Sequence, residues 1–547
     1  MNTILTIKNL RVEGRPPGGA YVPIVRDVSL SVKKGEVLAL IGESGSGKST
    51  ISLTAMGFAR PGCRIAKGEV WLNGRDIMQI PPAERHALRG DEVSYVAQSA
   101  AASFNPALRI GRQVIEAPLW HGRADASSLT QQAKTLYRKL DLPNPDTIGD
   151  RFPHQVSGGQ LQRLMAAMAM SCSPDLLILD EPTTALDVTT QVEVLKAFKG
   201  IIHDQGTAAI YVTHDLAVVA QVADRILVLK NGEIVEEGAT EQILHEPQHD
   251  YTKTLMAAVR PAPHLLPQPA PAAETPPPVL SARNVTAAYG AVTILHDVSV
   301  DVPKGSVVGV IGESGSGKST LARVIAGLTP LKKGTVTLEG QTLPHNVKDR
   351  GRQTLQDCQI VFQMADTALN PRQRIRDILG RPLEFYKGLK GQKRSERIAE
   401  LLELVDLPPS FASRYPGELS GGQKQRVNLA RALAAEPKVI LCDEVTSALD
   451  TVVAAGVIEL LKSLRDRLGI SYIFISHDLS TIADFADQIV VMQEGRVVDQ
   501  GPAEQVFRPP YHPYTKLLLT SVPKMRQGWL EEVQAGRDAT PSHLVQG

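Results

Sequence analysis

The ten residues IGESGSGKST occur twice in this 547-residue chain, at positions 41–50 and 311–320. A loop that binds its ligand alone needs one copy, so the duplication constrains the fold more than the loop does. Other landmarks recur in the same order. Gln98 pairs with Gln363 and Asn105 with Asn370, each 265 residues apart. The SGGQ beginning at Ser157 pairs with that beginning at Ser420, Glu181 with Glu444, His214 with His477, and Tyr251 with Tyr514, all 263 apart. Collinear landmarks over two halves of a chain mean tandem homologous domains, not a repeated loop. The expected division is a first domain at 1–260, a linker at 261–278, a second domain at 279–520 and a polar tail at 521–547, the tail loosely ordered. Eight prolines crowd the linker. Extended at about 3.1 Å per residue, it reaches roughly 55 Å.

Each half reads as α/β. A strand, VLALIG or VVGVIG, enters the glycine-rich loop and a helix follows. Buried-strand runs come later at LLILD, AAIYVTH and RILVLKNG, matched by VILCD, SYIFISH and QIVVMQEG. Between Gln98 and Ser157 the period turns helical: Leu129, Ala133, Leu136 and Leu140 predict one face of a helix, as do Ile398, Leu401, Leu402 and Val405 in the second half. The fold class is therefore α/β, two mainly parallel sheet domains, each with an inserted helical subdomain.

The chemistry follows from the motifs. Gly42-Glu43-Ser44-Gly45-Ser46-Gly47-Lys48-Ser49-Thr50 fits G-x-x-x-x-G-K-[ST] between strand and helix. Its glycines let backbone N–H groups curl round phosphates, and the helix N-terminus adds partial positive charge. Lys48 is placed for the β- and γ-phosphates and Ser49 for Mg²⁺. Gly312-Glu313-Ser314-Gly315-Ser316-Gly317-Lys318-Ser319-Thr320 repeats these roles. Asp180 and Asp443 end apolar strands, where a carboxylate meets the metal, and Glu181 and Glu444 follow as the residues that orient or deprotonate water. His214 and His477 end strands too and are candidate γ-phosphate contacts. Ser157-Gly158-Gly159-Gln160 and Ser420-Gly421-Gly422-Gln423 each open a helix, a second anion site that nothing in its own half needs.

In this order and twice over, phosphate loop, glutamine loop (Gln98, Gln363), SGGQ signature, Asp-Glu pair, ALD (Ala185 to Asp187, Ala448 to Asp450) and histidine resemble the ATP-binding cassette ATPases. The resemblance covers nearly the whole chain outside linker and tail. It implies ATP and Mg²⁺ as ligands, with Ser49, Gln98, Asp180, Ser319, Gln363 and Asp443 around the metal. It also implies head-to-tail cassettes, each ATP lying between one copy's loop and the other copy's signature. The Asn-Pro of SFNP and ALNP and the Tyr-Thr-Lys of HDYTK and HPYTK are similar to the ATPases of dipeptide, oligopeptide, glutathione and nickel importers, here in fused form. That implies two permease subunits, an extracytoplasmic binding protein and a place on the cytoplasmic face of the inner membrane. Three positions depart from the family pattern: Val156, Val445 and Met168, the last opposite Arg431. Tyr289 is the candidate adenine-stacking residue of the second copy. The same position in the first lands on Gly14, leaving Tyr21 as a substitute.

Composition excludes other classes. With 59 basic and 58 acidic side chains, net charge is +1, which gives no general attraction to nucleic acid. The competing reading is a double cassette acting on ribosomes or DNA. It predicts a long charged linker, zinc-binding cysteines or coiled-coil insertions, whereas this linker is short and nearly uncharged and the four cysteines (Cys63, Cys172, Cys358, Cys442) are scattered. No stretch approaches the 18 or so apolar residues of a spanning helix.

Overall fold

The computed structural model describes all of the chain except Met1, Ala185, Ala448 and residues 16–18, 260–276 and 539–547. Most of the predicted linker, and the alanines of both ALD motifs, therefore lie outside the described residues. The chain divides into two compact units, Met1–Val259 with Pro523–Gly547, and Arg260–Val522.

In the first unit the strands are β1 (Thr3–Gly14), β2 (Val22–Lys33), β3 (Val37–Ile41), β4 (Cys63–Leu72), β5 (Arg75–Asp76), β6 (Val93–Val96), β7 (Leu176–Asp180), β8 (Ala208–Val212), β9 (Arg225–Lys230) and β10 (Glu233–Ala239). Six of them form one sheet in the order β10-β9-β3-β8-β7-β6. All neighbours are parallel except the β9–β10 pair at one edge. β3, β7 and β8 are buried at every position. This is why they read as unbroken apolar runs rather than alternating ones: helices or a second sheet cover both faces. The second sheet, β2-β1-β4-β5, is antiparallel. Its inner residues Leu5, Ile7 and Leu10 share one core with Leu38, Leu40, Ile178 and Ile210 of the larger sheet.

Because β3, β8 and β7 are adjacent, their carboxyl ends deliver the phosphate loop, the segment entering His214, and Asp180 to one rim of the sheet. That rim is where open α/β sheets place ligands. The second unit repeats the arrangement, in the order Cys358–Val361, Val439–Asp443, Ser471–Ile475, Val307–Ile311, Gln488–Gln493 and Arg496–Pro502.

The helical insert lies between β6 and β7. Its amphipathic helix spans Ala126–Lys139 and buries Leu129, Ala133 and Tyr137, with Leu140 just beyond. Leu136, expected on the buried face, is only half-buried. The larger Tyr137 takes that place, because a real helix advances 3.6 residues per turn and the stripe drifts by one position. In the second unit Ile398, Leu401, Leu402 and Val405 are all buried as the period predicts.

Two expectations need correction. The linker's last residue, Pro278, already belongs to the strand Pro278–Tyr289. Within the described part of the tail, Trp529–Asp538 is an ordered helix belonging to the first unit, with Trp529 and Leu530 only 2% and 0% exposed. Gln221, itself 2% exposed, holds it at three points. Its Nε2 donates to the carbonyls of Lys524 (2.6 Å) and Arg526 (2.9 Å), and its Oε1 accepts from the Leu530 N–H (3.1 Å). Lys199 adds an ion pair with Glu531 at 2.6 Å. Two adjacent large apolar residues in a polar stretch carry no period, so the sequence gives no sign of this packing.

Candidate active sites

Each phosphate loop is forced by its glycines. Gly42, Gly45 and Gly47 have φ of 143°, 86° and 97°, and Gly312, Gly315 and Gly317 have 147°, 84° and 99°. A Cβ on Gly42 would lie 2.1 Å from the Leu229 carbonyl oxygen, and one on Gly312 2.1 Å from that of Met492. No other residue fits there. The loop closes into helices that start at the lysines, Lys48–Thr54 and Lys318–Ile325. Lys48 is buried and its ammonium donates to the carbonyls of Gly42 (2.7 Å) and Glu43 (2.8 Å), with Ser46 Oγ at 3.5 Å. Lys318 does the same to Gly312 (2.8 Å), Glu313 (2.7 Å) and Ser316 (3.4 Å). Ser44 and Ser314 lie exposed at the loop tips, while Thr50 and Thr320 sit one step inside the helices.

The strand-end carboxylates meet these loops across the sheet. Ser49 Oγ donates to Asp180 at 2.9 Å, and Ser319 Oγ to Asp443 at 2.7 Å. Each pair is a hydroxyl and a carboxylate oxygen side by side, a hard-oxygen donor set that suits Mg²⁺ sharing its coordination with phosphates and water. Burial pushes the Asp443 carboxyl up, opposed by the Ser319 hydrogen bond.

Glu181 and Glu444 follow in the left-handed backbone region, each at φ 52°. A non-glycine residue adopts that at a cost of order 1–3 kcal/mol. Each peptide is held there by the neighbouring strand, Glu181 N–H donating to Val212 O (2.8 Å) and Glu444 N–H to Ile475 O (3.0 Å). The turn gathers three polar side chains on the Glu181 carboxylate and two on that of Glu444. Gln98 Nε2 donates to Glu181 at 2.8 Å and Gln363 Nε2 to Glu444 at 2.7 Å. His214 Nδ1 lies 3.3 Å from Glu181, and His477 Nδ1 3.8 Å from Glu444. Thr184 Oγ1 donates to Glu181 at 3.1 Å, and Ser447 Oγ lies 3.3 Å from Gln363 Nε2. Burial disfavours charge on all four ionisable groups, but the mutual attraction outweighs it. Both glutamates are held below the ordinary carboxylate range, and both histidines are raised above the ordinary imidazole value.

The signatures are built as helix starts. Ser157 caps the helix Gly158–Met170 by accepting from Gln160 N–H (3.3 Å), and Gln160 Oε1 returns a bond from Ser157 N–H (3.1 Å). Ser420 and Gln423 repeat this reciprocal box at 3.4 and 3.0 Å. Gly158 is open, but a Cβ on Gly159 would lie 2.1 Å from Thr190 Cγ2, and one on Gly422 2.2 Å from Val453 Cγ1. The second glycine therefore lets the signature helix touch the helix that Asp187 or Asp450 caps.

The ABC transporter family pattern matches residues 25–184 and 295–447, and that of the oligopeptide/dipeptide transporter C-terminal region matches 235–280 and 498–547. Over 543 residues the chain is 38% identical to the glutathione import ATP-binding protein GsiA of Salmonella choleraesuis (strain SC-B67), spanning 92% of this chain and 87% of that protein. To GsiA of Escherichia coli (strain K12) it is 38% identical over 559 residues, spanning 95% and 89%. This chain belongs to the ABC transporter family. Among solved structures, the dimeric ATP-binding cassette MJ0796 bound to ADP and Pi is 31% identical, with a TM-score of 0.37, over 41% of this chain and 98% of that one.

The two cassettes of this ABC ATPase carry the same set of candidate site residues but different surroundings, which motif reading missed. In the first, Tyr95 OH donates to Asp180 at 2.7 Å. The residue 265 positions on is Ile360, so the second cassette has no such bond. In the second, Arg431 Nη2 donates to Asn428 Oδ1 at 2.8 Å and its other arm reaches the Ala368 carbonyl, tying the signature helix to the glutamine loop. Met168 and Met165 occupy those places in the first. Gly14 and Tyr289 each close their strand, β1 and Pro278–Tyr289. Tyr289 is exposed, its hydroxyl 3.2 Å from Thr329 Oγ1. Tyr21 is engaged elsewhere, with the Arg64 guanidinium 4.1 Å from its ring centre and that of Arg15 at 5.8 Å.

Proposed function

We propose that this ABC ATPase energises the uptake of a peptide-like small solute, glutathione among the candidates, through a pair of membrane permeases fed by an extracytoplasmic binding protein. The observation that carries the reading is the pairing of two complete hydrolytic sets with the oligopeptide/dipeptide C-terminal pattern behind each one. The relatives spanning nearly the whole chain are named for glutathione import. Ribosomal or DNA roles have no such support. No helix among the described residues is long and apolar enough to cross a membrane. In this reading the membrane path belongs to partner chains, and this chain's place is the cytoplasmic face of the inner membrane.

In this reading Lys48 and Lys318 hold the β- and γ-phosphates, and the loop amides cradle them. Ser49 with Asp180, and Ser319 with Asp443, hold Mg²⁺, with Gln98 and Gln363 at its edge. The ion, when bound, neutralises charge on the bridging phosphate oxygens. Glu181 and Glu444, held ionised, accept a proton from the attacking water, which Gln98 and Gln363 help to orient. His214 and His477 donate to the γ-phosphate. Tyr289 stacks on adenine in the second cassette. Each signature serine and its glycines complete the site that the other cassette's loop begins.

The permease surface is the helical insert. Trp120 is 61% exposed and Phe385, 265 positions on, is 43% exposed. In the second cassette Phe385 borders a groove of about 560 Å³ lined also by Leu328, Gln359, Asn370, Arg381 and Arg431. A large aromatic kept at one exposed position in both copies fits insertion of a partner's helix. The test is reconstitution with a candidate pair of peptide-importer permeases and their binding protein. ATP turnover should rise when the cognate binding protein is loaded with glutathione or a short peptide, and Trp120→Ala with Phe385→Ala should abolish the rise while leaving basal turnover. Turnover indifferent to every loaded binding protein, or stimulated instead by ribosomes or DNA, would overturn the reading.

A further inference from the structure

The H-D-Y-T-K and H-P-Y-T-K segments mark a subfamily in the sequence, and nothing above gives them work to do. The structure assigns it. Tyr251 is buried, and its hydroxyl accepts the backbone N–H of Glu43 at 2.9 Å, across 208 residues. Tyr514 accepts that of Glu313 at 3.0 Å, across 201. Glu43 is the second residue of the phosphate loop, and its carbonyl takes the Lys48 ammonium at 2.8 Å. One residue is thus gripped from both sides, tyrosine on its N–H and lysine on its C=O, and the same lysine also takes the Gly42 carbonyl of the Gly42–Glu43 peptide at 2.7 Å. The second cassette repeats the grip, with Lys318 on Glu313 O at 2.7 Å.

The rest of the motif holds the tyrosine. His249 Nδ1 accepts from Tyr251 N–H (3.1 Å), capping the helix Asp250–Ala257, and His512 Nδ1 accepts from Tyr514 N–H (3.3 Å) at the start of Pro513–Thr520. Behind them an acid on the last strand fixes each helix start. Glu236 accepts from the N–H groups of Gln248 (2.8 Å) and His249 (3.1 Å), while Asp499 accepts from Thr515 Oγ1 (2.7 Å). The Lys230 ammonium sits 4.6 Å from the Tyr251 ring centre and steadies the ring face. In the first cassette acid, histidine and tyrosine form one chain of contacts from the sheet edge to the phosphate loop; in the second the acid holds Thr515, the neighbour of Tyr514.

We propose that Tyr251 and Tyr514 are positioning residues for ATP: through the Glu43 and Glu313 peptides they fix where Lys48 and Lys318 present their ammonium groups. The proposal rests on ATP as the loop's occupant and not on any choice of cargo. Substitution by phenylalanine removes one oxygen and keeps the ring packed, so folding should survive. In the full chain with permeases, Tyr251→Phe with Tyr514→Phe should raise KM for ATP about three- to tenfold, the loss expected for one hydrogen bond, with kcat within about twofold. Amide exchange at Glu43 should speed up in Tyr251→Phe alone, and at Glu313 in Tyr514→Phe alone. A lower melting temperature with unchanged KM would mean a merely structural role and overturn the proposal. So would unchanged exchange at both amides. A chain that failed to hydrolyse ATP before any substitution would instead count against the ATPase reading itself.

Discussion

At Glu181 a strained backbone, a histidine, a glutamine and a hydroxyl converge on one carboxylate, at Glu444 a strained backbone, a histidine and a glutamine, and the pairing keeps each charged at neutral pH. Replacing either by glutamine keeps the shape and removes the proton acceptor. Glu181→Gln should bind ATP normally and lose on the order of 10²–10⁴ in turnover at its site, read as single-turnover hydrolysis; Glu444→Gln should do the same at the other. Retained turnover in either would show that cassette to be degenerate. The histidine gives a second handle. His214 is raised above the ordinary imidazole value of about 6.5. The stability it contributes is fully present below that pH and fades as pH climbs through the raised value. Labelled-histidine NMR should find its midpoint above 6.5 in the parent and lower in Glu181→Gln, because burial then acts without its opposing partner. An unmoved midpoint would dissolve the Glu181–His214 pair.

Whole elements were legible where their information is contiguous. The phosphate loops, the strands entering them and the signature helix starts each lie within about ten residues, and glycine spacing or capping chemistry dictates their geometry locally. What the sequence hid is long-range. Tyr95 on Asp180, Tyr251 on Glu43 and the tail on Gln221 join residues 85 to 309 positions apart, and no local period reports such contacts. The tail also breaks the symmetry of the repeat. Gln221 corresponds to Asp484 and Lys199 to Lys462, and in the second cassette these two close on each other at 2.9 Å. In the first they turn to the tail. Ending the chain after Val522 would strip Gln221 of three hydrogen bonds, one buried and two part-buried, and uncover the surface beneath Trp529. The first unit should lose about 1–3 kcal/mol, with faster amide exchange across Leu216–Val222, the helix that follows His214, and little change across Leu479–Phe485. Equal loosening of both helices would refute the asymmetric brace.

For the molecule as a whole, the reading of the duplication is that each ATP needs one cassette's loop and the other's signature. Choice of substitution decides whether that can be tested. An aspartate at Gly159 or Gly422 collides with Thr190 or Val453 inside its own unit, so lost activity there would say nothing about a neighbour. Gly158 and Gly421 are suitable instead: among the described residues no atom lies within 4 Å of a Cβ built on Gly158, and only Leu449 Cδ2, at 3.8 Å, approaches one on Gly421. A carboxylate at either would repel a γ-phosphate without disturbing the helix. If the sites are crossed, Lys48→Ala and Gly421→Asp damage one and the same site, and combining them should cost little beyond either alone. Lys48→Ala with Gly158→Asp damages both sites and should leave no turnover. The measurement is ATP bound and hydrolysed at each site, with permeases present, so that coupling between the sites does not hide the difference. Should Lys48→Ala with Gly158→Asp keep the activity of Lys48→Ala alone, each cassette works by itself and the duplication needs another cause.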